Sequence, residues 1–183
     1  IQDVVVITDS GDGFYKDGSF IQHDNIPYNC GYGRSLIQEL APMLYTFKDT
    51  EFEIKNTDII NTWVEKSYLP FIYNGRTMDM VRGREISRYY EQSDFACSRI
   101  LSAMLILTEL SEFDILRSVI KTHLTDSFFE YASLFAVELA EGLQEDDNIE
   151  PKEIKPYFMA FNSMDRAVKH GNGYTIGLAM HSE

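Results

Sequence analysis

The stretch YFMAFNSMDRAVKHGNGYTIGLAMHS, residues 157–182, decides how this chain divides. Its residues alternate with a period of two, which is the pattern of a strand rather than a helix. Met164, Arg166 and Val168 fall on alternating positions of one run, and Tyr174, Ile176, Leu178 and Met180 on those of the next. Between the runs sits Asn172-Gly173, a pair suited to a tight turn whose central residues take positive φ. The spacing predicts a β-hairpin. A two-stranded hairpin is marginal in water. It therefore either packs on the preceding residues or opens a β domain that continues past the chain.

Ahead of that stretch the period is helical. In YGRSLIQELAPMLYTF, residues Leu36, Leu40, Met43, Leu44 and Phe47 form one apolar stripe, with Pro42 placed to kink it. NTDIINTWVEKSYLPFI predicts a second helix, capped at Thr57 or Asp58, burying Ile59, Ile60, Trp63 and Val64, and ended by Pro70. SDFACSRILSAMLILTEL predicts a strongly buried third helix. SEFDILRSVIKTHL follows with a cap-like Ser111 three residues before Asp114. TDSFFEYASLFAVELAEGL predicts one more helix, ended near Gly142. QEDDNIEPKEIKP is acidic, holds two prolines and reads as a linker. Successive helices with short connections suit stacked antiparallel pairs.

Composition narrows function. The chain has 183 residues, 44% hydrophobic and 13% aromatic, with a net charge of −13. That charge disfavours nonspecific nucleic-acid binding. The rings suit either a packed helical core or a surface that stacks on sugars. No apolar run reaches the roughly 18 residues of a membrane span. Cys30 and Cys97 are the only cysteines, which is no disulfide framework, though it leaves a single bridge open. The chain opens at Ile1 with VVVIT and no basic leader, as part of a longer protein would.

Two segments carry candidate chemistry. The first, DGFYKDGSFIQHDNIPYNCGYG (12–33), packs glycines, rings, a histidine and carboxylates into a run with neither period, in a region, residues 1–33, that reads mostly as loop. His23 can accept a proton and Tyr32 can donate one. A hydrogen-bonded loop imidazole and a packing phenol fit the same residues. The second, RTMDMVRGREISR (76–88), sets Arg76, Arg82, Arg84 and Arg88 against Asp79 and Glu85. Residues 109–150, by contrast, hold eleven acids against Arg117 and Lys121. Arg84 and Arg88, four apart, share a face if the segment is helical. Arginine favours bidentate contact with carboxylates, and structural ion pairs fit as well. His123 and His170 have no metal-ligand companions at useful spacing, and no phosphate loop or nucleophile elbow occurs.

Taken together, DGSFIQHDNIPYNCGYG (17–33) and NGRTMDMVRGREISR (74–88) are similar to the active-site signature of the polysaccharide lyase family that includes hyaluronate, chondroitin AC and xanthan lyases. FNSMDRAVKHGNGYTIGLAMHS (161–182) resembles the start of that family's central β domain. The resemblance implies a mainly α fold. Residues 1–150 would be the later part of an α/α toroid of antiparallel helix pairs, and residues 151–183 a linker and the first strands of an antiparallel β domain. It implies β-elimination on a uronic-acid polysaccharide, a hyaluronan-type glycosaminoglycan first among the candidates, with chondroitin and xanthan left open. It implies His23, Tyr32, Arg84 and Arg88 as catalytic residues, and Arg82, Asn25 and Tyr28 as substrate-binding residues. Tyr32 would protonate the leaving oxygen and could also take the C5 proton, with His23 assisting. The arginines would bind substrate and favour negative charge on the phenolic oxygen. No cofactor or metal is implied. The partners are an acidic polysaccharide and the rest of the same polypeptide, in a secreted bacterial-type enzyme. The family's catalytic asparagine and aromatic patch lie upstream and match nothing here. A noncatalytic carbohydrate-binding piece and a helical interaction domain with an acidic surface remain the alternatives.

Overall fold

The computed structural model describes residues 5–54 and 57–181. Residues 1–4, on which the expectation about a leader rests, residues 55–56 and the last two residues lie outside it.

The described residues open with turns and loops that carry a small sheet of four short strands in sequence order: β1 (Ile7–Thr8), β2 (Gly13–Tyr15), β3 (Phe20–Gln22) and β4 (Ile26–Pro27). β1 and β2 run parallel, and the later pairs are antiparallel. Strands of two or three residues are too short to show a period, so sequence reasoning took them for loop. Phe14 and Phe20 turn inward, and Phe14 stacks on Trp63 at 4.2 Å between ring centroids.

Helix α1 (Tyr32–Phe47) has the predicted bounds and carries Pro42 inside it. Its buried face is Ile37, Leu40, Ala41 and Leu44, while Leu36, Met43 and Phe47 are only half-buried. The stripe is thus turned slightly from the predicted one. Helix α2 (Asp58–Trp63) is shorter than expected and passes into a π turn (Val64–Tyr68) and a 3-10 turn (Leu69–Phe71). Pro70 lacks an N–H and cannot continue the helical ladder. A two-strand hairpin, β5 (Ile72–Tyr73) and β6 (Arg76–Thr77), leads into 3-10 turns at Asp79–Val81 and Gly83–Ser87.

Helix α3 (Ser93–Leu107) is buried almost all round, the mark of a central helix. It packs against α1, α4 (Leu116–His123), α5 (Asp126–Tyr131) and α6 (Leu134–Glu145). The single helix predicted from 125 to 143 is two. Ser133 breaks it and caps α6 by accepting the Ala136 N–H at 3.3 Å, and α6 runs past Gly142. The Ser111 cap also fails to form: Ser111–Phe113 is a 3-10 turn, and α4 begins only at Leu116. Cys30 and Cys97 are both free and buried, and burial pushes both thiols upward.

The closing stretch is a three-stranded antiparallel meander of β7 (Tyr157–Phe161), β8 (Arg166–Gly171) and β9 (Tyr174–Ala179). The Asn172-Gly173 turn joins β8 to β9, with Gly171 opposite Tyr174 as predicted. β7 adds a strand that the hairpin reading had not separated. The sheet docks on the helical body. Phe161, Met164 and Val168 belong to the common core, and Phe161 lies 4.5 Å from Phe71 between ring centroids. Arg166 donates from Nε to the Met80 carbonyl at 3.1 Å, which ties the sheet to the arginine-rich loop.

Candidate functional site

The site forms where the β3–β4 turn, the first turn of α1 and the Gly83–Ser87 turn meet. His23 sits exposed in the β3–β4 turn. The chain then folds back through Tyr28, Asn29 and Cys30 into α1, whose first residue is Tyr32. Asn29 holds this path in place. Its buried amide donates to the carbonyls of Gly18 and Ser67, both at 2.9 Å, and its Oδ1 accepts the Phe20 N–H. A fully satisfied buried amide of this kind rigidifies a loop. Sequence reasoning missed it, and the only signal was an amide amid glycines and rings. Cys30 N–H donates to the Val81 carbonyl at 2.9 Å and joins the two candidate segments.

The rings converge. His23 and Tyr32 lie 5.4 Å apart between centroids, nearly perpendicular, and Tyr28 and Tyr32 lie 4.9 Å apart. Arg84 donates from Nη2 to the Tyr32 hydroxyl at 3.0 Å. Tyr32 is 37% exposed and Arg84 is exposed as well, so a ligand can reach the phenol, the imidazole and the guanidinium together.

Tyr28 and Arg82 do not fit the substrate-binding role expected of them, because both are buried: 0% and 1% exposed. Tyr28 works from behind. Its hydroxyl accepts the Arg84 backbone N–H at 3.0 Å, and its ring fills the space left by Gly31 and Gly83. A Cβ on Gly83, whose φ is +55°, would stand 2.2 Å from the Tyr28 ring. Glycine is required there on both counts. Arg82 donates to Asp79 Oδ1 at 2.5 Å and to the Glu91 carbonyl, and so braces the loop. Below the loop, Arg34 pairs with Glu85 at 3.2 Å in a buried bridge. Burial pushes the Glu85 carboxyl up, with Arg34 pulling the other way.

Arg88 does not share the face of Arg84. The segment is a 3-10 turn ending in extended backbone at Arg88 (φ −85°, ψ 119°), so four-residue spacing no longer aligns side chains. Arg88 pairs with Glu91 at 2.6 Å, and that hydrogen bond raises its pKa. Asn25 is exposed and lines a cleft of about 370 Å³ with Asp24, Arg166 and Met180, where the β3–β4 turn faces the C-terminal sheet. A larger cleft, about 710 Å³, lies between α4, residues 152–156 and the sheet; His123 and His170 line it, and neither His23 nor Tyr32 does. His23, Tyr32 and Arg84 line neither cleft; they meet at the exposed turn whose next residues, Asp24 and Asn25, line the smaller one. Among the described residues no group of three or more His, Cys, Asp or Glu could hold a metal ion. No helix among them is long and apolar enough to cross a membrane.

The family profile described as polysaccharide lyase family 8, N-terminal alpha-helical domain, matches residues 1–122. The chain is 33% identical to a xanthan lyase of Bacillus sp. (strain GL1) over 94% of its length, and 29% identical to a hyaluronate lyase of Staphylococcus aureus over 93%. It spans 20% and 23% of those two proteins. The solved structure of a Paenibacillus xanthan lyase superposes on all of the chain with a TM-score of 0.95 at 31% identity, the chain covering 18% of that protein. The helical body is accordingly a partial α/α toroid, and the fold is mainly α with an antiparallel sheet at its C-terminal end, as the two motifs led one to expect. The chain belongs to polysaccharide lyase family 8.

Proposed function

We propose that the chain forms one wall of the active site of a secreted lyase that cleaves a uronic-acid polysaccharide by β-elimination. The C5–H bond and the C4–O bond break, a C4=C5 double bond forms, and the departing oxygen takes a proton. The C5 proton is hard to remove while the neighbouring carboxylate is charged, so fixed donors must hold that group and the developing enolate. In this scheme Tyr32 protonates the leaving oxygen and His23 assists in taking the C5 proton, either directly or through the phenol. Arg84 stabilises the phenolic oxygen and attracts the uronate. Arg88 contributes to binding, and Asn25 meets the sugar from the adjoining cleft. The group that neutralises the carboxylate comes from another part of the polypeptide.

Support comes from one juxtaposition: an accessible phenol within 5.4 Å, ring to ring, of an imidazole and accepting a hydrogen bond from an arginine. The test is to feed hyaluronan, chondroitin and xanthan separately to the full polypeptide and follow the ultraviolet absorbance of the conjugated uronate. Hyaluronan is the first expected substrate. Tyr32→Phe removes the transferable proton and lowers turnover by about 100-fold or more. Full activity in that variant overturns the role of Tyr32. Binding of a polymer without product means a carbohydrate-binding module instead.

A further inference from the structure

His23 occupies a turn position whose backbone suits glycine, asparagine or aspartate. Its φ is 54°, and that of the next residue, Asp24, is 70°. Left-handed conformations in consecutive non-glycine residues persist only where the surroundings over-determine them. Here the surroundings include a single carboxylate. Asp12 accepts the Asp24 backbone N–H on Oδ1 at 3.1 Å and the Gln22 side-chain amide on Oδ2 at 3.0 Å. The residues on both sides of His23 are therefore tied to one side chain. The Asn25 N–H closes the turn on the His23 carbonyl at 2.9 Å. Asp12 immediately precedes β2, which pairs with β3 (Gly13 opposite Ile21), so the sheet itself carries the anchor to the turn.

We propose that Asp12 is a positioning residue of this site: by clamping the left-handed turn at Gln22 and Asp24 it aims the His23 ring at Tyr32. Its kinetic consequence rests on the lyase reading, but its geometric consequence does not. Asp12 acts through the backbone of the turn. The hydrogen bonds it accepts matter, and its charge is secondary. Asparagine keeps an oxygen for the Asp24 N–H but cannot accept from Gln22 on its amide nitrogen. Alanine loses both bonds.

The test is steady-state kinetics on the full polypeptide as wild type, Asp12→Asn and Asp12→Ala, with a crystal structure of each. Misplacing a reacting group by an ångström costs up to 100-fold, so kcat should fall about 10- to 100-fold in Asp12→Ala and less in Asp12→Asn. KM should stay within about twofold, since the loss is in the transition state rather than in binding. The pH–rate profile of Asp12→Asn should keep its shape. In the Asp12→Ala structure the His23 ring should move away from Tyr32. An unchanged turn and ring spacing in that structure overturns the proposal, and so does an Asp12→Asn variant as damaged as Asp12→Ala with a displaced pH profile. If the wild type forms no unsaturated product, the lyase reading falls, and the position of the His23 ring in Asp12→Ala alone decides the role of Asp12.

Discussion

Two histidine environments in this chain are opposites. His23 is exposed, on a left-handed turn, facing a phenol. His123 and His170 are 2% and 1% exposed, at the seam where the C-terminal sheet meets the helices. The His170 Nε2 lies 2.8 Å from the Pro70 carbonyl, and its Nδ1 lies 3.0 Å from the Thr175 hydroxyl. A carbonyl can only accept, so Nε2 carries the proton and Nδ1 accepts from Thr175. Tyr157 stacks on the ring at 4.5 Å. His123 Nδ1 is buried with no hydrogen-bond partner. Burial lowers the pKa of both, His123 to about 4 with His170 adding to the effect, while the Pro70 bond opposes the shift in His170. The same side chain is thus an accessible imidazole where it meets solvent and a neutral packing element where it does not. Local strain marks the first kind, and desolvation marks the second.

The sharpest way to break this contrast is His23→Asn. Asparagine tolerates the left-handed backbone, so the melting temperature should hold while turnover falls about 100- to 10,000-fold, the usual worth of a positioned acid or base. A melting temperature that falls while turnover survives would make His23 structural.

Acid should act on the opposite pair. The folded value for His123 lies below the ordinary 6.5, so the unfolded chain takes up the proton first as pH falls. The stability from keeping His123 neutral is therefore complete above about pH 6.5 and is lost between there and about pH 4, a loss on the order of 3 kcal/mol. Urea unfolding across that range should show the decline, and His123→Met should flatten it. An unchanged slope in His123→Met would show that His123 is not what acid attacks.

The smallest effect is expected at Tyr28, which stands behind the site. Tyr28→Phe keeps the ring but strips the Arg84 N–H of its acceptor, at about 1 kcal/mol of stability. Thermal melting would register the loss, and the Arg84–Tyr32 contact should loosen in a crystal structure. No change in either would mean that water replaces the hydroxyl without consequence.

Long periodic segments were readable in the sequence. α1, α3 and the β8–β9 turn depend on apolar periods and on one Asn-Gly pair, and these act locally. Short elements were not readable. The strands of residues 7–27 are two or three residues long and pair with one another, but their inward rings are buried by Trp63 and Tyr68 elsewhere in the chain, and the break at Ser133 comes from a cap inside an unbroken apolar run. In the candidate site, His23, Tyr32 and the arginine cluster stood out by residue type. Asp12 and Asn29, which hold the turn and the path into α1, look like ordinary loop residues.

The amino-acid order by itself determined that a run of helices precedes the C-terminal hairpin, and that two compact motifs concentrate an imidazole, a phenol and positive charge. Only the tertiary structure assigned the arginines: Arg84 to Tyr32, Arg88 to Glu91, and Arg82 to the interior. The physical reason is that a guanidinium's reach depends on which way its backbone turns. A tight 3-10 segment, packed through Gly83 against the Tyr28 ring, sets that direction, and spacing along the chain does not encode it.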